Sequence, residues 1–414
     1  MLKIRGAARI TSWGAVPMLL VSQGLINIGL GTFSVLYNLY LAAIGQSLAF
    51  IGTFNALSIL ALGLSAVPIG AGARLLGHRQ ALGMGTLLLV AVQVVLALTT
   101  TQALLLTAGV VWGVAQALCV VPVAPLLSES VPRTQRAMVF GWLYAAWALA
   151  TAIGSILGGV LPGLLAALFA AGPATGIAAY RGALLITTVI TVLGWPLLLL
   201  PLAARPEVAA ESQIEGPVGH GWALRTVRRT ITAVVLTIGL YSFAGGLVAP
   251  FFNVYFAQNL HLATSLIGVL FALAAFLSVP GSLLGPRLSR RLGSIRAVVL
   301  VRLAVFPCLL GLALGNLVPL LAMSGFLLRF ALIYISGALD NHFTLSSVPA
   351  RTRPLAAGVR TGTYNLCWAL GAWGAGDLIG RVGYPAMFLT SAVLTVLASL
   401  LFLGLFGMPV RKRD

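Results

Sequence analysis

Polar and ionisable side chains inside long apolar runs are where this chain could do chemistry, because each is costly there and needs a partner. Arg329, Ser336 and Asp340 follow one another at spacings of 7 and 4, which is one face of a helix. Arg329 sits near the middle of its run, where arginine costs at least about 2.5 kcal/mol on insertion scales. It therefore needs an anion or a ring of carbonyls. Asp340 lies three turns on, about 16 Å at the helical rise, too far to pair with it. Two readings of Arg329 stand: a site for an anionic solute or a substrate's carboxylate, or an arginine tied to carbonyls and polar groups of a neighbouring helix. Gln23, Asn27, Ser34 and Asn38 form a second face, spaced 4, 7 and 4, within a stripe of roughly 60°. They either line a cavity or bond between helices. Further sets share faces: Trp112 with Gln116; Tyr144 with Thr151 and Ser155; Thr361 with Asn365 and Trp368; Tyr241 and Tyr255 near Gly245. Together they describe a mixed aromatic and amide lining; singly, each also reads as packing.

Acids decide how a solute could be coupled to an ion. There are 7. Glu207, Glu211 and Glu215 lie in a polar segment and Asp414 ends the chain, leaving Glu129, Asp340 and Asp377. Buried carboxylates and histidines carry protons through membranes, so Asp340 with His342 is the proton-coupling candidate; a gate salt bridge is the alternative. Glu129 is expected to meet Arg136 or Arg79, and Asp377 to meet Arg381 one turn on. Arg302 is expected to snorkel to the surface. There is no G-x4-GK[ST], no HExxH and no nucleophile–base pair, so neither an enzyme nor a cofactor is expected. Cys119, Cys308 and Cys367 sit in apolar runs without CxxC spacing, which suggests no metal.

The elements that must hold these residues follow from composition. Of 414 residues, 60% are hydrophobic and 8% charged, where a soluble domain carries about 25% charged. Continuous apolar runs such as Ala81–Thr99 and Ala183–Leu202 fit membrane helices of about 20 residues and not alternating barrel strands. Glycine, proline and charge breaks mark twelve spans: 13–43, 49–72, 80–99, 103–128, 138–168, 182–202, 230–257, 264–286, 296–315, 318–346, 356–379 and 384–408. The net charge of +18 is dispersed between spans, which argues against nucleic-acid binding. With both termini cytoplasmic, 21 of 25 Lys/Arg fall on that side, Arg181 and Arg381 fall opposite, and Arg302 and Arg329 lie within spans. That asymmetry fixes the orientation by the positive-inside rule. Residues 203–229 read as a cytoplasmic linker, with an amphipathic stretch near Trp222–Arg229, between bundles 1–202 and 230–414.

The halves repeat. Leu36-Tyr37-Asn38-Leu39-Tyr40 with Ile51-Gly52 matches Phe251-Phe252-Asn253-Val254-Tyr255 with Ile267-Gly268, at offsets of 215 and 216. Ser130-Val131-Pro132, Arg136 and Gly141 match Ser347-Val348-Pro349, Arg353 and Gly358 at 217. Six spans per copy is an even number, so the copies share orientation about an axis along the membrane normal. The same offset places Trp112 opposite Arg329.

On these residues the chain resembles the major facilitator superfamily of secondary transporters. Ala124–Leu161 is similar to that family's helix 4, loop and helix 5 region, with Pro125, Glu129, Pro132, Arg136, Gly154, Gly158 and Gly159. Glu129 and Arg136 are spaced as E-x6-R, like a motif of sugar-transporting members. Gly70, Gly77 and Arg79 match the family's G-x3-D-R-x-G-R-R loop, with Arg74 in the acidic position. The second copy has Gly293 matched and Arg290 in place of the acid. The resemblance implies an all-α fold of twelve helices in two parallel-repeat bundles that expose a midplane site alternately. It also implies that the first helix of each half lines the cavity.

The expectation from the sequence is a secondary transporter of a small organic solute in the inner or plasma membrane. Export of an amphipathic or drug-like compound is the first reading, because the lining is aromatic and poor in acids. Import of an organic anion or sugar is the second, and a non-transporting sensor with a transporter fold is the rival class. The solute site is expected at Gln23, Asn27, Asn38, Trp112, Gln116, Tyr144, Tyr241, Arg329, Asn365 and Trp368. The cytoplasmic gate is expected at Gly70, Arg74, Gly77, Arg79, Glu129, Arg136, Arg290, Gly293 and Arg353. Protons are a candidate coupling ion, the bilayer is a partner, and a monomer is expected.

Overall fold

A computed structural model describes residues 7–169, 176–199 and 222–407. Those residues are helical throughout, with short turns between helices and no strand among them. The linker expected at 203–229 falls outside the described residues up to 221.

The helices are α1 (Ala7–Ala43), α2 (Leu48–Leu76), α3 (His78–Leu98), α4 (Gln102–Val120, resuming as Val123–Ser130), α5 (Arg133–Phe169) and α6 (Ile177–Leu199). Then come α7 (Trp222–Val248), α8 (Thr264–Leu292), α9 (Ser294–Ala313) and α10 (Pro319–Ser346). The last element, Arg353–Phe406, is interrupted at Gly383 (φ 79°, ψ 172°) and so forms two helices, α11 (353–382) and α12 (384–406). Each of the twelve spans expected from sequence is met by a helix over its described residues. α4 departs from its single expected span because Pro122 has no amide hydrogen to continue the ladder. α7 runs on through a tight turn at Ala249–Phe251 and a wide π-type turn at Tyr255–Asn259.

Two glycines make the sharp turns that the spacing of the halves requires. Gly77 (φ 94°, ψ 134°) joins α2 to α3, and Gly293 (φ 78°, ψ 149°) joins α8 to α9. A Cβ is strained at such angles, so only glycine is at ease in either position.

The chain forms two compact units. The first is Met1–Gly45, Leu60–Ser212 and Leu262–Ala275; the second is Gln46–Ile59, Gln213–His261 and Phe276–Asp414. In the first, α1 packs on α5 and α6, and α3 packs on α4 and α6. Small residues permit this: a Cβ on Gly31 would overlap the Thr151 carbonyl, and one on Gly154 would overlap that of Ile28. The second unit makes the same contacts 215 to 217 residues later. A Cβ on Gly246 would overlap the Trp368 carbonyl, and one on Gly371 that of Phe243. Hydrogen bonds repeat as well. Tyr40 donates its hydroxyl to the Ala97 carbonyl at 2.9 Å, and Tyr255 donates to that of Leu312 at 2.7 Å. Each tyrosine thus bonds a carbonyl in the last turn of a helix, where the helix's own amides run out.

Candidate functional site

Charge is buried in the second unit. Arg302 on α9 is 0% exposed, and one of its terminal nitrogens donates to Asp340 Oδ1 at 2.9 Å. The other carboxylate oxygen accepts the Ser336 hydroxyl at 3.2 Å. Aromatic rings cover the guanidinium: Tyr241 is centred 4.4 Å away and Phe402 5.3 Å away. The expectation that Arg302 snorkels is therefore corrected. A carboxylate within reach balances its charge inside the unit. The expected Asp340–His342 pair is also corrected. Two residues along a helix point to different faces, so Asp340 faces α9 while His342 is exposed.

Arg329 is different. It is 3% exposed, and its guanidinium lies 5.0 Å from the centre of the Phe252 ring. Its Nε is buried without a hydrogen-bond partner, and no carboxylate among the described residues pairs with it. Of the described acids, Asp340 is held by Arg302, Glu129 pairs in the other unit, and Asp377 is exposed. Arg329 lines a cavity of about 20 Å³ with Tyr241, Ser242, Gly245, Tyr364 and Thr395. Neighbouring helices hold that wall in place: Ser242 donates to the Tyr364 carbonyl at 2.6 Å, and Ser391 to the Ala244 carbonyl at 2.7 Å. Asn365 and Trp368 are half-buried one turn or less beyond Tyr364.

The first unit holds amides and rings. Gln23 is buried and accepts the Trp147 indole hydrogen at 3.2 Å, leaving its own nitrogen without a partner. Asn27 donates to the Gln23 carbonyl of its own helix at 2.8 Å, and Asn38 is buried. Trp112 stacks on Phe33 at 3.8 Å, and Phe33 stacks on Tyr37 at 4.2 Å. Gln116 is half-buried one turn away. Tyr144 is 59% exposed, its ring edge-on to Trp147.

The arginine-rich helix ends form a third group. Glu129, 56% exposed, meets His78 at 3.4 Å. This corrects the expected partners Arg79 and Arg136. Arg79 instead donates to the Leu198 carbonyl at the end of α6, and the buried Nε of Arg136 has no hydrogen-bond partner. Arg353 donates to the Leu345 carbonyl near the end of α10 at 3.0 Å. Both carbonyls belong to helix C-termini, where cations are favoured. Gly70, Arg74 and His78 line a cavity of about 350 Å³ with Val67, Val121 and Pro125. Arg290 is exposed, as are Asp377 and Arg381, which form no ion pair among the described residues; this corrects the expected Asp377–Arg381 pair.

Sequence reasoning passed over His78, Ser242, Tyr364 and Thr395. Hydroxyl groups and a histidine at a helix start carry no cost signal of the kind that marks an arginine inside an apolar run.

The family model described as Major Facilitator Superfamily matches residues 19–343. The chain belongs to the major facilitator superfamily. Its members bind small-molecule solutes and sit in the bilayer as multi-pass proteins, which fits the helices long and apolar enough to cross a membrane among the described residues, eleven when α11 and α12 are taken as one run. No curated protein sequence matches it. Solved structures do. A bacterial homologue of the human lysosomal transporter Spinster, inward-facing and occupied, is similar at TM-score 0.75 and 14% identity, covering 98% of each chain. A variant of the nucleoside transporter NupG is similar at TM-score 0.75 and 14% identity, over 95% of this chain and 100% of that one. The human organic anion transporter TETRAN gives TM-score 0.57 at 18% identity, over 94% and 99%. These likenesses establish the fold.

Proposed function

We propose that this superfamily member is a secondary transporter of small amphipathic organic solutes, with the second unit supplying the anchor for the solute's polar group. The single observation that carries the reading is Arg329: buried at mid-span, free of any described carboxylate, and beside rings and hydroxyls. A charge in that position is costly without a counter-charge, and a solute can supply one. Export of an amphipathic compound is the first direction. Import of an organic anion is the second, and the uncompensated arginine favours an anion in either direction.

The wider assignment rests on the same reading. Protons are the proposed coupling ion, with Asp340 as carrier, because it is the one carboxylate buried among the described residues of its unit. The protein is placed as a monomer in the inner or plasma membrane, with both termini cytoplasmic. Bundles 1–202 and 230–414 act as the moving parts, joined by 203–229, and the glycines and arginines at the helix ends act as the gate.

Counterflow tests the proposal. Purified protein in liposomes preloaded with unlabelled solute should take up the labelled solute transiently and saturably for at least one amphipathic compound. Ligand binding without counterflow across a broad panel would favour a sensor. Replacing Asp340 with Asn should abolish accumulation driven by a pH gradient; full accumulation would remove Asp340 from coupling.

A further inference from the structure

Two arginines are buried close to one tyrosine, and their charges are balanced differently. Tyr241 lines the cavity that holds Arg329, and the same ring covers Arg302 at 4.4 Å. Arg302 is neutralised by Asp340 at 2.9 Å, and the second oxygen of that carboxylate is held by Ser336. Arg329 has no such partner among the described residues. The region behind Tyr241 therefore carries two cations and one anion, a net of one positive charge. The cavity, about 20 Å³, admits one small polar group and not a whole organic molecule. Aromatic rings flank it: Tyr241 and Tyr364 line the cavity, and Phe252 lies against the Arg329 guanidinium.

We infer that this site selects a monoanionic head, a carboxylate on an amphipathic or aromatic body, and that the Arg302–Asp340 pair sets this selectivity by withholding the second cation. The inference rests on the proposed solute site and names its substrate class. A monocarboxylate brings the single negative charge that Arg329 lacks. A dianion brings one more than the site can balance, and desolvating an unbalanced charge is costly. A neutral amide leaves Arg329 unpaired. Asp340 is a positioning residue here; it acts through Arg302 and does not touch the solute. The charged and titratable groups facing this cluster are Arg302 and Cys308 from α9, Arg329, Tyr334 and Asp340 from α10, Tyr241 from α7, and Tyr364 with the half-buried Arg360 from α11.

The test is equilibrium binding to the full chain in detergent, with benzoate, the dianion phthalate and neutral benzamide as probes at pH 7.4. Wild type is expected to prefer benzoate over both by about tenfold or more, the scale of one buried charge left unpaired. Arg329→Gln should erase the preference for benzoate over benzamide. Asp340→Asn should free Arg302 and raise phthalate affinity relative to benzoate by about tenfold. Removing both charges together, Arg302→Gln with Asp340→Asn, should return the ratio to that of wild type and keeps the test open if the single variant folds poorly. Equal or tighter phthalate binding by wild type would overturn the inference, as would no benzoate binding or a benzoate-to-phthalate ratio that ignores Asp340. Counterflow separates the two claims. Selective benzoate binding without counterflow removes transport and keeps the anion site. Counterflow of an uncharged solute, indifferent to Arg329→Gln, keeps transport and removes the anion site.

Discussion

The two units share a scaffold and differ in what they bury. Glycines let α1 approach α5 in the first unit and α7 approach α11 in the second, and Tyr40 and Tyr255 make matching hydrogen bonds to carbonyls 57 residues on. Inside that shared frame the first unit places Trp112 in a stack with Phe33 and Tyr37, while the second places Arg329 at the corresponding position. Its only ion pair among the described residues is a half-exposed Glu129–His78; the second unit's is the buried Arg302–Asp340. The contacts that hold helices at close range recur in both units, and among the described residues the buried charged side chains, Arg302, Arg329 and Asp340, lie in the second unit. Packing constrains the scaffold in both copies, whereas a buried charge constrains only the copy that carries it.

Four changes would break or sharpen this contrast. The largest effect is expected at the glycine contacts. Gly154→Val and Gly371→Val should each cost about 3 kcal/mol or more by overlap with a neighbouring carbonyl. Size-exclusion profiles should show loss of monodisperse protein in both, and tolerance in one unit only would end the claim of a shared scaffold. Next are the ion pairs. Asp340→Asn leaves Arg302 buried without its counter-charge and should destabilise by about 3 kcal/mol. Glu129→Gln, on a half-exposed pair, should cost about 1 kcal/mol or less. Thermal melts in detergent compare the two, and equal shifts would contradict the difference in burial. Third, Arg329→Gln should leave the melting temperature unchanged or raise it, since it removes a buried charge that no described carboxylate balances; a fall of several degrees would give Arg329 a structural partner instead. The smallest changes are Tyr40→Phe and Tyr255→Phe, each expected to cost about 1 kcal/mol for one lost hydrogen bond, measured in the same melts. A clear inequality would show that the two tyrosines have diverged.

Much of the fold was legible in the sequence because its determinants are local. Apolar run length marks a span, Gly77 and Gly293 mark tight turns, and the offset of 215 to 217 reveals the repeat without knowledge of any contact. The break at Gly383, between two spans that a single helical run joins, was visible for the same reason. The site was only partly legible. Spacing placed Arg329, Ser336 and Asp340 on one face, and all three are buried. It did not tell which neighbouring helix that face meets, and so Arg302 was assigned to the surface. A usable signal existed: Arg302 lies eight residues after the start of α9 and Asp340 six before the end of α10. Consecutive antiparallel helices bring such positions to similar depth, where opposite charges find each other. His78 shows the other gap. A histidine beside Arg79 carries no sign of which of the two a nearby glutamate will choose; that depends on the direction each side chain leaves α3.

The account turns on Arg329 as the anchor of a transported solute. Uptake of labelled benzoate into benzoate-loaded liposomes, compared between wild type and Arg329→Gln at matched protein density, tests it most directly. Saturable counterflow in wild type with a loss of at least about tenfold in the variant is predicted; equal counterflow in both would contradict it.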